Sequence, residues 1–315
     1  MTLTELRYIV AVARERHFGR AAEACHASQP TLSVAIRKLE EELGVRLFER
    51  GASEVTPTDI GERVITQAQR VLEAAAEIPA IARLGRDPLN GPLRVAAIYT
   101  IGPYLLPTLV RQLQRDVPQM PLLLNENFTV RLLEMLKNGE IDAAVMALPL
   151  PEAGLAMTPL YDESFVVAVP RGHAWARRKA IGVEELTGQT TLLLGSGHCF
   201  RDQVLDACPE LDRASTVEGQ QKPVEGSSLE TIRQMVASGI GVAVLPQTCV
   251  PERVRRDSLI TYLPFRRPLP ERRVVLAWRR SYPRTAAIEA LCQAVQRCAL
   301  PGARKIEAAA RPRAL

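Results

Sequence analysis

The spacing of apolar residues predicts two short helices at the start of the chain. The two apolar sets are Leu6, Val10 and Ala13, and then Ala21, Ala22 and Cys25. Members of each set recur at helical spacing, which places them on one face of a helix. The second set consists of small residues, and the second helix can therefore pack closely against its neighbours.

A third helix is predicted to follow at once. Ser28 or Gln29 suits the N-cap, and Pro30 suits the first turn, where a missing N–H costs nothing. The predicted buried stripe comprises Leu32, Ile36, Leu39 and Leu43. The opposite face then carries Thr31, Ser33, Val34, Arg37 and Lys38. This arrangement is the layout of a helix-turn-helix.

The next segment, residues 45–50, is predicted to form a short wing strand, and Thr56-Pro57-Thr58 to begin a long helix. The apolar positions of that helix are Ile60, Val64, Val71, Leu72 and Ile78. They are too many for a solvated helix and too few for a core helix, which favours a dimerising linker helix. Pro79 is expected to end or kink it, and residues 87–92 form the clearest linker in the chain.

Beyond residue 92, short β-like runs alternate with helical patterns. The predicted strands are Leu93–Ala97, Leu122–Asn125, Ile141–Ala147, Phe165–Val169, Thr191–Leu194, Gly241–Leu245 and Val274–Ala277. Their unbroken apolar character predicts a sheet buried on both faces, and therefore an α/β domain. So many strands exceed one small sheet, and we expect two lobes with a cleft between them.

Composition bears on the compartment of the protein. The chain has 315 residues, of which 47% are hydrophobic and 24% charged, as is ordinary for a globular protein. Its apolar runs are far shorter than the roughly 20 residues of a membrane span. Residues 1–5 lack the basic start and apolar core of a signal peptide. We therefore expect a cytoplasmic protein with no membrane partner.

The six cysteines include no Cys-x-x-Cys pair. This pattern argues against a zinc site, and we expect neither a metal nor a cofactor. At least three of the six fit the simpler interpretation of buried free cysteines. Because cytoplasmic thiols are normally held reduced, a disulfide here would be transient or sensory.

Net charge does not locate a DNA-binding surface. The whole chain carries a formal charge of +5, but residues 1–60 hold eight Lys and Arg against nine Asp and Glu. The basic excess lies in residues 251–315, where there are fifteen Lys and Arg and five acids. DNA binding is therefore inferred from the local sequence pattern, not from the overall charge.

Four motifs together resemble the N-terminal domain of LysR-type transcriptional regulators. They are Phe18-Gly19-Arg20-Ala21-Ala22, Ser28-Gln29-Pro30-Thr31-Leu32-Ser33, Ile36-Arg37-Lys38-Leu39-Glu40 and Leu47-Phe48-Glu49-Arg50. The resemblance runs to about residue 300. It implies an all-α winged helix-turn-helix, a long linker helix that forms dimers, and an α/β effector domain of two Rossmann-like lobes, similar to periplasmic binding proteins. The residues at which this family contacts DNA are Ser28, Gln29, Pro30, Thr31, Ser33, Arg37, Lys38 and Arg50.

A second set of motifs resembles the hydrogen-peroxide sensors of that family. It comprises Gly197-His198-Cys199-Phe200-Arg201-Asp202-Gln203, then Cys208, then Ser228-Leu229-Glu230-Thr231. The resemblance implies that peroxide oxidises Cys199, that Cys199 then forms a disulfide with Cys208, and that the protein regulates an oxidative-stress response, mainly as an activator. The implied peroxide-binding residues are Thr100, Thr129, His198, Asp202 and Arg273.

The implied boundaries divide the chain into a DNA-binding domain of residues 1–58, a linker helix and hinge of 59–90, an effector domain of 91–300 and a disordered tail of 301–315. Lobe I of the effector domain comprises about 91–162 and 267–300, and lobe II about 163–266. The expected partners are double-stranded promoter DNA, further copies of the chain in a dimer of dimers, hydrogen peroxide, RNA polymerase and a cellular dithiol that resets the disulfide. The wing residues 51–54 lack the basic side chains usual in the family.

The spacing of the two cysteines predicts a conformational switch. Residues 200–207 read as a helix, which puts Cys199 at a helix N-terminus, where a thiolate is favoured. Cys208 is nine residues further on, about 13 Å along the axis of such a helix. A disulfide tolerates at most about 7 Å between Cα atoms. The helix must therefore melt or swing before the bond can form.

Three alternatives stay open at the level of sequence. The first is a LysR-type regulator that binds a small organic acid in the cleft, with Cys199 incidental. The second is a thiol peroxidase, which would leave the helix-turn-helix without a purpose, and we therefore expect no enzyme. In the third, the sulfenic acid of Cys199 is itself the signal and Cys208 is a buried small residue. For Thr100 and Thr129 alone, a helix cap is the simpler interpretation.

Overall fold

Three short helices packed on one apolar core open the chain. In the computed structural model, which describes residues 1–50, 55–84, 87–150, 154–209, 211, 224–251 and 258–306, these helices are α1 (Leu3–Glu15), α2 (Phe18–Ala24) and α3 (Gln29–Leu43). The residues with the lowest exposure in this core are Ile9, Val12, Ala21, Leu32, Ile36, Leu39 and Leu47. The predicted helical layout is confirmed.

Helix α3 begins as its sequence predicts. Ser28 is the N-cap, and its hydroxyl accepts a hydrogen bond from the backbone N–H of Thr31 at 3.2 Å. The helix ends at Gly44, whose φ of 68° lies in the left-handed region that glycine adopts without strain. One member of the predicted buried stripe is wrong: Leu43, in the last turn, is 38% exposed.

The wing is a two-stranded antiparallel hairpin of β1 (Phe48–Arg50) and β2 (Val55–Pro57). Glu40 of α3 holds its base, because one carboxylate oxygen accepts from the backbone N–H groups of Leu47 and Phe48 at 2.7 and 3.3 Å. The long helix α4 (Asp59–Leu84) follows directly. Pro79 lies inside it and does not end it, which corrects that part of the expectation.

Beyond residue 92, the described residues form one ten-stranded sheet with helices between its strands. The strands are β3 (Leu93–Ile98), β4 (Leu122–Asn127), β5 (Ala143–Ala147), β6 (Leu155–Pro170), β7 (Thr191–Leu194), β8 (Val224–Gly226), β9 (Val242–Pro246), β10 (Ile260–Pro264), β11 (Glu271–Arg279) and β12 (Ala303–Lys305). The helices are α5 (Gly102–Asp116), α6 (Thr129–Lys137), α7 (Cys199–Ala207), α8 (Leu229–Ala237) and α9 (Thr285–Arg297), with 3₁₀ turns at Ala174–Arg177, Val183–Gly188 and Gln247–Cys249. The predicted α/β fold is confirmed.

The long strand β6 belongs to both lobes. Its first part pairs with β11, and its last part pairs with β9 and β10. The apolar residues on either side form two separate cores, one drawn from residues 93–161 and 274–300 and the other from 165–265. One connection between the two lobes is therefore the backbone of a continuous strand, and the chain returns to the first lobe between Phe265 and Val274.

Three features of the sheet differ from expectation. Strand β4 is only partly buried, because it lies at the sheet edge, and Leu123 and Leu124 are 54% and 44% exposed. Strands β8, β10 and β12 carry too few apolar residues in a row to stand out in the sequence. The prediction that the tail is disordered is wrong for residues 303–305, because they form strand β12, which pairs with β6. Residues 307–315 lie outside the described residues.

The chain divides into two units, one of residues 1–86 with 137–140 and the other of residues 87–136 with 141–315. In the described parts of the chain, no helix is long and apolar enough to cross a membrane.

Close packing of α4 on the wing predicts a cost for any side chain at Gly61. A Cβ there would lie 2.1 Å from the carbonyl oxygen of Leu47, a backbone atom that cannot turn aside. Although alanine is the better helix former by about 1 kcal/mol, we expect Gly61→Ala to lower the free energy of unfolding by about 1–3 kcal/mol through overpacking. Urea unfolding followed by circular dichroism measures this. Gly188→Ala, which meets nothing within 4 Å, is the control and should be near neutral.

Candidate functional site

The outer face of α3 presents the residues predicted to contact DNA. Ser28, Gln29, Pro30, Thr31, Arg37 and Lys38 are exposed, and Ser33 is half-buried. Arg50 ends β1. Val34, which the family motifs do not single out, is 63% exposed on the same helix, where an apolar side chain suits contact with a thymine methyl group. The wing residues 51–54 lie outside the described residues.

Several carboxylates of the first unit accept hydrogen bonds from backbone N–H groups or form an ion pair with the N-terminal ammonium. Glu5 accepts from the backbone N–H of Thr2 at 2.7 Å in a capping box. Glu40 anchors the wing strand as described above, and Glu42 pairs with the N-terminal ammonium at 2.8 Å. Some of the acidic residues that offset the positive charge of this segment are therefore used in structural contacts. Arg37 and Lys38, in contrast, are exposed on α3.

Cys199 is the first residue of α7, as the sequence predicts. His198 is the N-cap residue with extended backbone, and Gly197 before it has a φ of 94°, a conformation that favours glycine. Cys199 is half-buried and packs against the core of the first lobe. The free N–H groups and dipole at a helix N-terminus favour negative charge there, which suits a thiolate.

Two threonine hydroxyls lie at the strand-to-helix turns where the sequence places them. Thr100 follows β3 and is 2% exposed; its hydroxyl oxygen accepts from Nη1 of Arg272 at 2.9 Å. Thr129 is the first residue of α6, and its Oγ1 is buried with no hydrogen-bond partner among the described residues. Neither hydroxyl makes a capping hydrogen bond in the described residues, and each keeps unused hydrogen-bonding capacity: the hydrogen of Thr100 and the whole hydroxyl of Thr129.

Arg272 lies in the region of the candidate site, by which we mean the surroundings of Cys199, Thr100 and Thr129. Its Nε donates to Glu163 at 2.7 Å, and its guanidinium carbon lies 4.9 Å from the centre of the Phe200 ring. Burial by itself lowers the pKa of Arg272, but Glu163, Tyr161 and the Cys199 thiol outweigh it, and the pKa stays above its ordinary value. Arg272 is therefore a permanent positive charge within electrostatic reach of Cys199.

One of the predicted peroxide ligands, Arg273, faces away from this region, and another, Asp202, is exposed to solvent. Arg273 faces the other side of β11, where it pairs with Asp162 at 2.8 Å and its side chain is 49% exposed. Asp202 lies one turn into α7 and is exposed. Neighbouring strand residues point to opposite faces, and for this reason Arg272 takes the place expected of Arg273.

Three rings cover the region, each one residue before a predicted site residue. Tyr99 precedes Thr100, Phe128 precedes Thr129, and His198 precedes Cys199. The centroid distances are 5.2 Å between Tyr99 and Phe128, 4.8 Å between Phe128 and His198, and 6.0 Å between Tyr99 and His198, all edge-to-face. The rings thus tie together three loops from the two lobes.

His198 is a buried neutral imidazole. Burial lowers its pKa below the ordinary value of 6.5, and a hydrogen bond to the backbone carbonyl of Ser227 opposes the shift without cancelling it. Because one ring nitrogen donates to that carbonyl, the other is left as an acceptor.

Cys208, the predicted partner thiol, is remote from this arrangement. It is the C-cap residue of α7 and is 1% exposed in the core of the second lobe. The intervening helix is intact, which separates the two cysteines by about 13 Å along its axis. Burial raises the pKa of Cys249 to about 12 and that of Cys292 to about 11, and both are thus poor nucleophiles.

Sequence reasoning missed Arg272, Glu163 and Gln203. Gln203 of α7 donates from Nε2 to the carbonyl of Leu148 at 2.9 Å, while its Oε1 is buried without a partner among the described residues. The adjacent pairs Asp162-Glu163 and Arg272-Arg273 were a usable signal, because opposite charges in two strands suggest cross-strand partners. In the part of the chain that the structure describes, no group of three or more His, Cys, Asp or Glu could hold a metal ion.

Comparison with known families agrees with this fold. The family model of the LysR substrate binding domain matches residues 86–299, and that of the bacterial regulatory helix-turn-helix protein, lysR family, matches residues 3–62. The chain belongs to the LysR family of bacterial helix-turn-helix regulators, which confirms the predicted family.

Within this family the chain is similar to OxyR proteins. It is 38% identical over 296 residues to the DNA-binding transcriptional dual regulator OxyR of Escherichia coli strain K12, which covers 94% of this chain and 95% of that protein. A full-length cysteine-to-aspartate mutant of OxyR from Pseudomonas aeruginosa is 50% identical, with a TM-score of 0.73 over 99% of both chains. An H2O2-bound cysteine mutant of OxyR from Corynebacterium glutamicum is 34% identical, with a TM-score of 0.62 over 94% of this chain and 92% of that one.

The lowered pKa of His198 predicts a pH-dependent stability. Below pH 6.5 the unfolded histidine takes up a proton before the folded one does, so stability is complete above pH 6.5 and falls as the pH drops below it. We expect His198→Phe, which keeps a ring beside Tyr99 and Phe128, to lose less unfolding free energy than the wild type between pH 7.5 and 5.5. The difference is at most about 1.4 kcal/mol per pH unit for one group. Urea unfolding at several pH values measures it, and identical pH profiles would contradict the assignment.

Proposed function

We propose that this protein is a DNA-binding transcription regulator, mainly an activator, of an oxidative-stress response, and that hydrogen peroxide switches it by oxidising Cys199. One observation carries the proposal: a half-buried thiol at a helix N-terminus lies within the field of the buried Arg272, in a region with two available threonine hydroxyls, and the chain also carries an exposed helix-turn-helix face. The similarity to OxyR proteins supports the same conclusion.

The region suits hydrogen peroxide because the ligand is small and both donates and accepts hydrogen bonds. Thr100 accepts from Arg272 through its oxygen, which leaves its hydroxyl hydrogen free to donate. Thr129 can donate or accept, and His198 offers an acceptor nitrogen. We assign peroxide binding to these three residues with Arg272, and leave out Arg273, which faces the other side of β11, and Asp202, which is exposed.

The proposed first step is attack of the Cys199 thiolate on one peroxide oxygen. A sulfur–oxygen bond forms, the O–O bond breaks, and the departing hydroxide takes up a proton to become water, leaving a sulfenic acid. Sulfur loses two electrons and the peroxide gains them. Hydrogen-bond donation from Thr100 and the charge of Arg272 stabilise the negative charge that develops on the departing oxygen.

The proposed second step joins Cys199 to Cys208. The Cys208 thiolate attacks the sulfenic sulfur, a disulfide forms, and the hydroxyl group leaves as water after protonation. Because an intact α7 keeps the two apart, the helix must unwind, and Cys208 must leave the core of the second lobe. The hydrogen bond from Gln203 to Leu148 has to break as well. A cellular dithiol would reduce this disulfide by thiol–disulfide exchange, which returns both cysteines to thiols and leaves the dithiol itself oxidised to a disulfide.

The remaining partners are also part of the proposal. Residues 1–58 would bind double-stranded promoter DNA, 59–90 would dimerise, and 91–300 would sense peroxide. Exposed apolar side chains on α4 and on the edge strand β4, including Ile78, Leu123 and Leu124, support assembly into a dimer of dimers. RNA polymerase would be recruited once the oxidised form is bound.

Peroxide treatment should crosslink residues 199 and 208 and unwind the helix between them. We expect mass spectrometry of oxidised wild-type protein to show the disulfide and hydrogen exchange to show loss of protection in α7. Cys208→Ser should stop at the sulfenic acid, while Cys249→Ser, which removes a different buried cysteine, should behave as wild type. A crosslink with α7 fully protected would contradict the mechanism.

The same variants separate the alternatives when a candidate promoter is footprinted with reduced and oxidised protein. If the footprint of Cys208→Ser changes as the wild type does, the sulfenic acid alone is the signal. If Cys199→Ser still responds to an inducer, a small organic ligand is the better explanation. Sustained peroxide turnover without a change in DNA binding would favour a thiol peroxidase.

DNA binding by α3 predicts a specific change in salt dependence. Arg37 is exposed on the recognition face, and its replacement by alanine should weaken binding to promoter DNA; if it contacts a phosphate, the slope of log affinity against log salt should fall by about 1. Fluorescence anisotropy at several salt concentrations measures both. Arg115→Ala removes an exposed charge from the second unit and should leave the slope unchanged.

A further inference from the structure

We propose that Glu163 is a positioning residue for the peroxide reaction: through Arg272 it fixes the Thr100 hydroxyl as a hydrogen-bond donor to the departing peroxide oxygen. The inference rests on the proposed function and adds a residue that neither the family motifs nor the predicted site contains.

Glu163 and Arg272 face each other directly across two strands. They are register partners in the antiparallel pairing of β6 with β11, and their side chains are 0% and 1% exposed. A buried charge without a partner is strongly unfavourable, and each of these two side chains therefore requires the other. The guanidinium has no freedom to turn toward solvent.

The hydrogen bonds of the pair leave Arg272 a single orientation. Oε2 of Glu163 accepts from Nε of Arg272 at 2.7 Å, and Oε1 accepts from the backbone N–H of Thr248 at 2.9 Å and from the Thr248 hydroxyl. Because the guanidinium is planar, a fixed Nε also fixes both terminal nitrogens. These donate to Oγ1 and to the carbonyl oxygen of Thr100, at 2.9 and 3.1 Å.

This series of hydrogen bonds determines where the hydroxyl hydrogen of Thr100 points. Oγ1 of Thr100 accepts from Arg272, and its own hydrogen then points away from the guanidinium. No other acceptor for that hydrogen is found among the described residues. A peroxide oxygen next to Cys199 would take it, and in the proposed attack it is the departing oxygen that gains negative charge and needs a donor.

The network also crosses between the lobes. Thr248 precedes Cys249 of the second lobe's core, Glu163 and Arg272 lie in strands β6 and β11, and Thr100 precedes Ile101 of the first lobe's core. Glu163 thus fixes the position of Thr100, in the first lobe, relative to Thr248 in the second lobe, which is the lobe that contains α7.

Glu163→Gln tests the assignment, because glutamine offers only one acceptor oxygen. Its amide NH2 must face the donors of either Thr248 or Arg272, so one set of bonds is lost. In the full-length reduced protein, we expect the rate constant of Cys199 with hydrogen peroxide to fall at least tenfold. The rate constant with iodoacetamide should stay within twofold, since iodide leaves without a hydrogen-bond donor at Thr100.

This ratio of rates separates positioning from other roles. Loss of a nearby negative charge alone would leave both rate constants unchanged or raise both, and either outcome would overturn the proposal. A damaged fold would show itself as faster alkylation of the buried cysteines, and the second variant below then decides. Asp162→Asn is the matched control: it neutralises the neighbouring acid of β6, whose partner Arg273 faces away from the site, and the ratio should not change.

A second variant covers the case in which Glu163→Gln does not fold. The double replacement Glu163→Leu with Arg272→Met removes the ion pair as a whole, a change that buried pairs often tolerate. It also removes the donors to Thr100, and the same selective loss of peroxide reactivity is expected. A wild-type ratio in this variant would overturn the inference alone. If Cys199 of the wild type did not react with peroxide, the proposed function and this inference would fall together.

Discussion

The buried ion pair of Glu163 and Arg272 sets the geometry on which the candidate site depends. It lies on the strand that both lobes share, and its hydrogen bonds reach Thr248 on one side and Thr100 on the other. A charged pair at full burial has few allowed arrangements, because every donor and acceptor must be satisfied. The orientation of the threonine hydroxyl and the positive charge near Cys199 both follow from this one constraint.

A second constraint opposes the first. Cys199 packs against the core of the first lobe, whereas Cys208 is buried in the core of the second, and α7 holds them at its two ends. The reduced fold is stabilised by this helix and by its contacts, yet the proposed disulfide requires the helix to be lost. Oxidation would therefore use the stability of the S–S bond to favour a second conformation over a well-packed first one. A switch of this kind needs no change at the DNA-binding face itself.

Much of the fold could be predicted from the sequence, because the residues that indicate these helices and strands lie close together along the chain. The start of α3, its buried residues other than Leu43, and the apolar strands from Leu93 onward other than the exposed edge strand β4 depend on neighbours a few residues away, and these were predicted correctly. Strands β8, β10 and β12 were not, because short and partly polar strands become strands only when a partner supplies the hydrogen bonds. The candidate site was equally uneven: Cys199 and Thr129 begin helices and Thr100 follows a strand, as the sequence indicated, whereas Arg273 faces the opposite side of its strand and Asp202 is exposed.

The sequence by itself determined the class of protein, the position of Cys199 at a helix N-terminus and the helical separation of Cys199 from Cys208, since each follows from contiguous residues. Only the tertiary structure decided that Arg272 and not Arg273 faces inward, that Glu163 is its partner, and that Thr100 accepts from it. The physical reason is that successive side chains of a strand point to opposite faces, and the local sequence around Arg272 and Arg273 does not determine which face is buried. That choice is made by the register of β6 against β11, residues more than a hundred positions apart.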